Sequence, residues 1–217
     1  MSHTASSSLP ASLPVFRSRV VPVVVVSDPA QAVPMAQALL AGGVDVIEIT
    51  LRSDAALAAI EAVARQVPDM VVGAGTVTRA DEVNRVRDAG ARFALSPGYT
   101  PALLQRVKEV GLPFIPGVGS PSEAMAARDE GFTLMKCFPA AQLGGVEVLK
   151  AWGGPLPDLR FCPTGGVTPA NLGQFLALPN VPMAGGSWLT PAALVKAGDW
   201  AGITRLAAEA MALAAAV

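Results

Sequence analysis

Histidine is almost absent from this chain. One of the 217 residues is histidine, and it is His3, close to the N-terminus. Catalysis by a Ser-His or Cys-His pair in the body of the chain is therefore excluded, and so is a zinc or iron site built on histidine ligands. Chemistry in this protein has to run on lysine, arginine, carboxylate and hydroxyl side chains.

Charged residues are also few: they make up 15% of the sequence, and the formal net charge is −1. Basic residues do not run together, which argues against a nucleic-acid partner and a basic helix on a membrane surface. Segment 1–13 lacks the basic and apolar regions of a signal peptide. The charge-free run 161–195 is interrupted by Pro and Gly, so it cannot span a membrane as a helix. Cys137 and Cys162 fall in predicted strands, which fits reduced thiols in the cytoplasm better than a disulfide framework.

Apolar, β-branched runs recur about every 20 residues. They predict eight strands, at 20–26, 44–51, 71–77, 93–96, 114–118, 134–138, 160–163 and 181–184. Helical segments lie between them, and this alternation predicts a parallel sheet. Eight such units favour a (β/α)₈ barrel with an additional N-terminal helix, in a single domain at 15–217 after a flexible tail at 1–14. The alternative is an open doubly wound sheet, but no GxGxxG follows the first strand.

Proline and glycine mark the predicted helix ends. Ser or Thr followed by Pro is typical of a helix start, and this pair follows four strands, as Thr100-Pro101, Ser120-Pro121, Thr168-Pro169 and Thr190-Pro191. Ser120 and Glu123 also have the spacing of a capping box. Glycines typical of helix C-termini precede four strands, at Gly43, Gly90, Gly111 and Gly131.

The most informative residue is Lys136, which lies in an apolar run between a glycine and a proline. This run predicts a buried strand. Burial disfavours the charged form of a lysine, and a neutral amine is a nucleophile toward carbonyl carbon. The other three lysines, Lys108, Lys150 and Lys196, fall in predicted helices or helix ends. The alternative is a lysine at a strand end whose amine reaches solvent.

The second predicted strand carries polar residues at alternate positions. Glu48, Thr50 and Arg52 share one face, and the apolar residues between them share the other. Since the apolar face meets the helices, the polar face is expected to point into the barrel. Glu48 is then a candidate proton shuttle and Arg52 a candidate carboxylate clamp. The alternative is a structural ion pair between Glu48 and Arg52.

Glycine pairs end the last two predicted strands, at 165–166 and 185–186. Barrels commonly bind phosphate at these two loops, because glycine lets backbone N–H groups approach an anion; a tight turn is the alternative reading. A buried lysine, a glutamate, an arginine and a phosphate cradle would share one mouth. Imine chemistry on a phosphorylated keto acid needs this combination, since a protonated imine accepts the electrons of the breaking carbon–carbon bond.

Six motifs, in order, resemble the bacterial 2-keto-3-deoxy-6-phosphogluconate (KDPG) aldolase family, also called 4-hydroxy-2-oxoglutarate (KHG) aldolase. The resemblance covers nearly the whole chain from about residue 20, and the motifs are EITLR at 48–52, GAGTV at 73–77, SPG at 96–98, KCFPA at 136–140, RFCPTGG at 160–166 and GGSW at 185–188. It implies a trimeric class I aldolase with a (β/α)₈ fold. Such an enzyme cleaves KDPG to pyruvate and glyceraldehyde 3-phosphate in the Entner–Doudoroff pathway, and KHG to pyruvate and glyoxylate.

The resemblance also implies roles for single residues. Lys136 would form the imine and Glu48 would be the acid–base catalyst, with no metal and no other cofactor. Cys137 departs from the family, which often has an aromatic residue there, but strand alternation points it away from the mouth. The implied substrate-binding residues are Arg52 and Thr76 for the pyruvyl carboxylate, Pro97 and Phe138 for the pocket wall, Thr164 for a substrate contact, and Gly165, Gly166, Gly186 and Ser187 for the phosphate.

Two other functions stay open on the sequence. One is an aldolase of the same chemistry that prefers the galactonate epimer or unphosphorylated 2-keto acids. The other is a catalytically silent barrel that binds a phosphorylated ligand, although such a barrel has no need for a buried lysine. A high hydrophobic content of 52% and a mean hydropathy of +0.46 predict that some apolar surface lies in a subunit interface.

Overall fold

The structure is a computed structural model and describes residues 9–217. Strands and helices alternate along it. The strands are β1 Val20–Val24, β2 Val46–Thr50, β3 Val71–Gly75, β4 Phe93–Leu95, β5 Phe114–Ile115, β6 Gly117–Val118, β7 Leu134–Cys137, β8 Arg160–Pro163 and β9 Ala184–Gly186. The helices are α1 Ala32–Ala41, α2 Ala56–Gln66, α3 Ala80–Asp88, α4 Pro101–Val110, α5 Pro121–Asp129, α6 Gly145–Gly153, α7 Pro169–Leu176, α8 Ala192–Ala197 and α9 Trp200–Ala215.

The strands form two parallel sheets. Six strands pair in the order β5-β4-β3-β2-β1-β9, and three pair in the order β6-β7-β8. The sheets adjoin at both ends. On one side only Pro116 separates β5 from β6, and on the other an isolated parallel bridge joins Thr164, just after β8, to Gly185 in β9. The predicted α/β fold with a parallel sheet is therefore confirmed, in the form of a curled six-stranded sheet flanked by a three-stranded one.

Several predicted strands are one to two residues too long at their ends, and three predicted elements differ more than this. The predicted fifth strand is divided at Pro116, because proline has no N–H to donate to the ladder. The last strand begins three residues later than predicted, at Ala184, since its pairing with β1 starts there. The predicted additional N-terminal helix is wrong for residues 9–19, which contain no helix; Pro10 and Pro14 disfavour one there. Residues 1–8 lie outside the described part of the chain.

Most of the predicted helix ends are confirmed. Thr100 and Ser120 each accept a hydrogen bond from the backbone N–H three residues on. Glu123 differs slightly from a standard capping box, because its carboxylate accepts from the N–H of Gly119 at 2.6 Å. Helix α8 starts at Ala192 with Pro191 as its N-cap, one residue later than predicted. The four glycines of the predicted C-termini have φ between 69° and 95°.

The core has two parts. The larger one lies between the strands and the helices and contains most of the buried apolar side chains. The smaller one fills the interior at the amino ends of the strands, and it consists of Val21, Val46, Val71, Phe93, Leu95 and Ile115. Phe16 packs on it from the N-terminal segment, with its ring stacked 6.1 Å from that of Phe93. This apolar plug closes one end of the interior, so polar chemistry is confined to the carboxyl ends of the strands. In the part of the chain that the structure describes, no helix has both the length and the apolarity to cross a membrane.

Candidate active site

Two strands from different sheets supply the central pair of charges, which meets across the interior. Lys136 lies on β7 and Glu48 on β2, and the Lys136 Nζ is 3.0 Å from the Glu48 Oε1. Both residues are buried, with 5% and 1% of their surface exposed. Glu48 is thus paired with Lys136, and the alternative of a structural ion pair between Glu48 and Arg52 is wrong. A buried ion pair of this kind is stabilising only when its remaining polar atoms are also satisfied.

The second oxygen of Glu48 has no partner. Among the described residues, no hydrogen-bond donor reaches the buried Oε2. Gly75 leaves the room for this carboxylate, since a Cβ there would overlap the Oε1, Cγ and Cδ of Glu48. An unsatisfied buried carboxylate oxygen costs free energy, and it offers an acceptor to whatever enters the interior.

Arg52 lies just beyond the end of β2 and is exposed. Its Nε donates to the Thr50 Oγ1 at 3.2 Å, and the Thr50 hydroxyl donates to the carbonyl of Val24 at 2.8 Å. Thr50 itself is buried. These two hydrogen bonds join the Arg52 guanidinium to the sheet and orient it. The terminal nitrogens of Arg52 remain available for a carboxylate at the mouth.

One predicted aromatic residue is close to the Lys136 amine. The Phe138 ring lies beside it, with its centroid 5.6 Å from the Lys136 Nζ, and Phe138 and Pro97 are both half-buried. Thr76 follows β3 with φ of 59°, in the left-handed region. For a β-branched residue that conformation costs roughly 1–3 kcal/mol, and such residues cluster at functional sites. The hydrogen bond from the N–H of Val77 to the carbonyl of Leu95 holds the chain there.

The two glycine pairs face one small cavity. Its volume is about 150 Å³, and it lies between the ends of β8 and β9. Gly165 and Gly166 have φ of 91° and 79°, which a residue with a Cβ rarely adopts. Thr164 is buried and Ser187 is exposed. The sequence-predicted residues that line this cavity are Arg52, Phe138, Thr164, Gly165, Gly166, Gly186 and Ser187.

A larger cavity of about 660 Å³ adjoins it and shares Val23, Arg52 and Ser187 with it. Its other polar lining residues include Gln31, Thr190 and Lys196, and none of these was predicted as a site residue from the sequence. Among these three residues, only Lys196 could have been identified from the sequence, because it is a cation on the helix that follows the second glycine pair. Lys136 and Glu48 line neither cavity, and both are buried.

Neither cysteine thiol is expected to be reactive. Burial raises the pKa of the Cys137 thiol to about 12, and it raises the pKa of Cys162 to about 12 as well. Cys137 packs in the larger apolar core between strands and helices, which confirms that it points away from the mouth. Cys162 faces the interior, and its Sγ is 4.0 Å from the Thr164 Oγ1. Within residues 9–217, no three His, Cys, Asp or Glu side chains come together as a metal-binding group.

Comparison with known proteins gives consistent matches. A sequence model of the family described as KDPG and KHG aldolase matches residues 14–206. The 2-dehydro-3-deoxy-phosphogluconate aldolase of Pseudoalteromonas atlantica is 54% identical over 198 residues, covering 91% of this chain and 92% of that protein. The KHG/KDPG aldolase of Escherichia coli K12 is 51% identical over 192 residues, covering 88% and 90%. A crystal structure of KDPG aldolase from Legionella pneumophila, with pyruvate captured as a covalent carbinolamine, has a TM-score of 0.88 at 44% identity, covering 89% of this chain and 94% of that one.

Proposed function

This chain belongs to the KDPG and KHG aldolase family, and within that family we propose that it cleaves KDPG to pyruvate and glyceraldehyde 3-phosphate through an imine on Lys136. We propose the same route for KHG, which would give pyruvate and glyoxylate. The observation that carries the proposal is the buried Lys136 amine 3.0 Å from a glutamate with one free oxygen.

The first step needs a neutral amine, and the ion pair supplies one. Transfer of a proton along the hydrogen bond from Lys136 to Glu48 turns two buried charges into two neutral groups, which removes the cost of burying charge. The amine then attacks the ketone carbon and forms a carbinolamine. Glu48 returns its proton to the leaving hydroxyl, water departs, and a protonated imine remains.

The second step breaks a carbon–carbon bond. Glu48, now a carboxylate, takes the proton of the C4 hydroxyl. The C3–C4 electrons pass to the iminium nitrogen, so glyceraldehyde 3-phosphate leaves and an enamine remains on Lys136. Glu48 returns this proton to C3 of the enamine, which gives the pyruvyl imine, and water hydrolyses the imine to pyruvate and free lysine. In this route Glu48 carries out every proton transfer. Its Oε2, which has no partner in the protein, is free to do so.

The remaining site residues are proposed to bind and orient the substrate. Arg52 would hold the pyruvyl carboxylate bidentately, and Thr76 would add its hydroxyl from a strained position. Pro97 and Phe138 would exclude water around the imine, and Thr164 would contact the substrate chain. The phosphate would lie on the backbone N–H groups and hydroxyl of Gly165, Gly166, Gly186 and Ser187.

The wider architecture belongs to the same proposal. A closed (β/α)₈ barrel is supported by the contacts at both edges of the two sheets, at Pro116 and at the bridge from Thr164 to Gly185. A single domain at 15–217 after a tail at 1–14, a homotrimer and a cytoplasmic location are proposed with it, on the family resemblance. We propose that neither metal nor cofactor takes part, since lysine and glutamate carry every proton and electron transfer above. Full turnover should therefore survive exhaustive chelation; loss in EDTA and recovery with zinc or manganese would contradict this.

The direct test is turnover of three substrates compared side by side, with pyruvate release as the readout. We expect cleavage of KDPG with a higher kcat/KM than of its galactonate epimer, and measurable cleavage of KHG. A preference for the galactonate compound or for KHG would instead support the alternative aldolase. No pyruvate from any of the three would reject aldolase activity and leave a phosphate-ligand-binding barrel.

A further inference from the structure

The larger cavity has no role in the chemistry above. It shares Val23, Arg52 and Ser187 with the smaller, glycine-lined cavity. The glycine-lined cavity of about 150 Å³ is smaller than the roughly 300–1,000 Å³ of typical small-molecule sites. Ser187, one of the residues proposed to hold the phosphate, lines both cavities, so the phosphate end of the substrate would lie where they meet.

The charge of the larger cavity has one sign. Arg52 and Lys196 line it, no carboxylate does, and Ser27 and Thr190 add hydroxyl groups. Lys196 is exposed on α8. Lys108 and Lys136 each have a carboxylate partner, whereas no ion pair among residues 9–217 includes Lys150 or Lys196, and of these two only Lys196 lines this cavity. Since Arg52 is proposed to hold the pyruvyl carboxylate, Lys196 is the cation left for the far end of the substrate, and its attraction is stronger for a dianion than for a monoanion.

We propose that Lys196 is a specificity-determining residue, which favours substrates that carry a phosphate dianion at the end remote from the ketone. The inference rests on the proposed function and deepens it. KHG ends in a carboxylate with a single charge and is shorter, so it gains less from Lys196. Because Lys196 touches no reacting atom, its charge acts on KM for the phosphorylated substrate and leaves the imine chemistry unchanged.

Lys196→Met tests the proposal, since methionine keeps an unbranched side chain and removes the charge. We expect KM for KDPG to rise about 3- to 10-fold, as befits a partly exposed charge pair, while kcat and the KM for KHG change by less than about twofold. Lys196→Arg should retain the preference. Lys150→Met is the matched control, because Lys150 is also an exposed helical lysine but lines a different cavity; it should leave both substrates unaffected.

Salt adds a readout that a structural role for Lys196 would not change. The KM of the wild type for KDPG should rise with ionic strength, and the rise should be smaller in Lys196→Met. Equal effects on both substrates, or none on either, would overturn the proposal. Affinity for inorganic phosphate, measured by calorimetry, separates it from the proposed function. Weaker phosphate binding in Lys196→Met supports the role of Lys196 even if KDPG is not cleaved, and unchanged binding rejects that role even if it is.

Discussion

Two buried carboxylates lie three residues apart on one stretch of chain, and their surroundings are opposite. Asp45, just before β2, accepts from the N–H groups of Arg17 and Ser18 and from the Arg17 Nε, at 2.9–3.2 Å, so both of its oxygens are used. Glu48, in the middle of β2, has one partner on Oε1 and none on Oε2. The saturated carboxylate ties the N-terminal segment to the closed end of the interior. Glu48 keeps a free oxygen, which can accept a hydrogen bond or a proton from a substrate.

Among the variants that test this contrast between Glu48 and Asp45, Glu48→Gln should have the largest effect, which is on kcat. Glutamine keeps the volume and a hydrogen bond to Lys136 but cannot carry a proton, so kcat should fall by roughly 10²–10⁴. Stability should change little, because the side-chain volume and the hydrogen bond to Lys136 are both kept. If Glu48 is instead a structural partner like Asp45, breaking the pair should cost roughly 3–5 kcal/mol. Thermal melting and turnover per folded molecule, measured on the same sample, separate the two: a collapsed Tm with near wild-type turnover rejects the shuttle.

Gly75→Ala should disturb the same carboxylate without altering its chemistry. The added Cβ would overlap Glu48, and relief of that contact moves the carboxylate away from Lys136. We expect kcat to fall by roughly 10- to 100-fold, in line with the sensitivity of catalysis to small misplacements, and stability to fall by about 1–3 kcal/mol. Gly154→Ala is a control, since its nearest contact would be at 3.9 Å. Unchanged turnover in Gly75→Ala would mean that the position of Glu48 is not critical.

Asp45→Asn should have a smaller and purely structural effect. An amide has one oxygen in place of two, so at least one N–H loses its acceptor, at a cost of about 1–3 kcal/mol. For a domain of this size that lowers Tm by roughly 2–4 °C per kcal/mol. Turnover per folded molecule should equal that of the wild type. A loss of turnover at constant stability would remove the distinction between the two carboxylates.

The pH dependence of stability gives this substitution a second signature. Burial alone raises the pKa of Asp45, but the hydrogen bonds from Arg17 and Ser18 outweigh it and hold the pKa below 3.8. The carboxylate therefore stabilises the fold above about pH 4, and this contribution is lost as the pH falls through the lowered value. Asp45→Asn should flatten the acid side of the stability profile. An unchanged profile would show that other groups dominate there.

Sequence patterns predicted which face of a strand a residue lies on better than which side chain it contacts. Alternation along β2 placed Glu48 and Thr50 in the interior, and both are buried. A charged residue in an apolar run identified Lys136. The barrel topology predicted that Lys136 and Glu48 share one mouth. It did not predict the direct ion pair between these residues, 88 positions apart, because local periodicity carries no information on which side chains meet across the interior. Arg52 was expected inside but lies exposed beyond the strand end, because the period of two holds only while the strand continues.

Trapping of pyruvate on the protein tests the central claim most directly. Incubation with pyruvate and borohydride should reduce the imine to one stable adduct, and peptide mapping should place it on the peptide that contains Lys136. Lys136→Arg is the control and should take up no adduct and show no turnover, because guanidinium stays protonated. An adduct on Lys108, Lys150 or Lys196, or a wild-type protein that takes up none while it still releases pyruvate, would contradict the account.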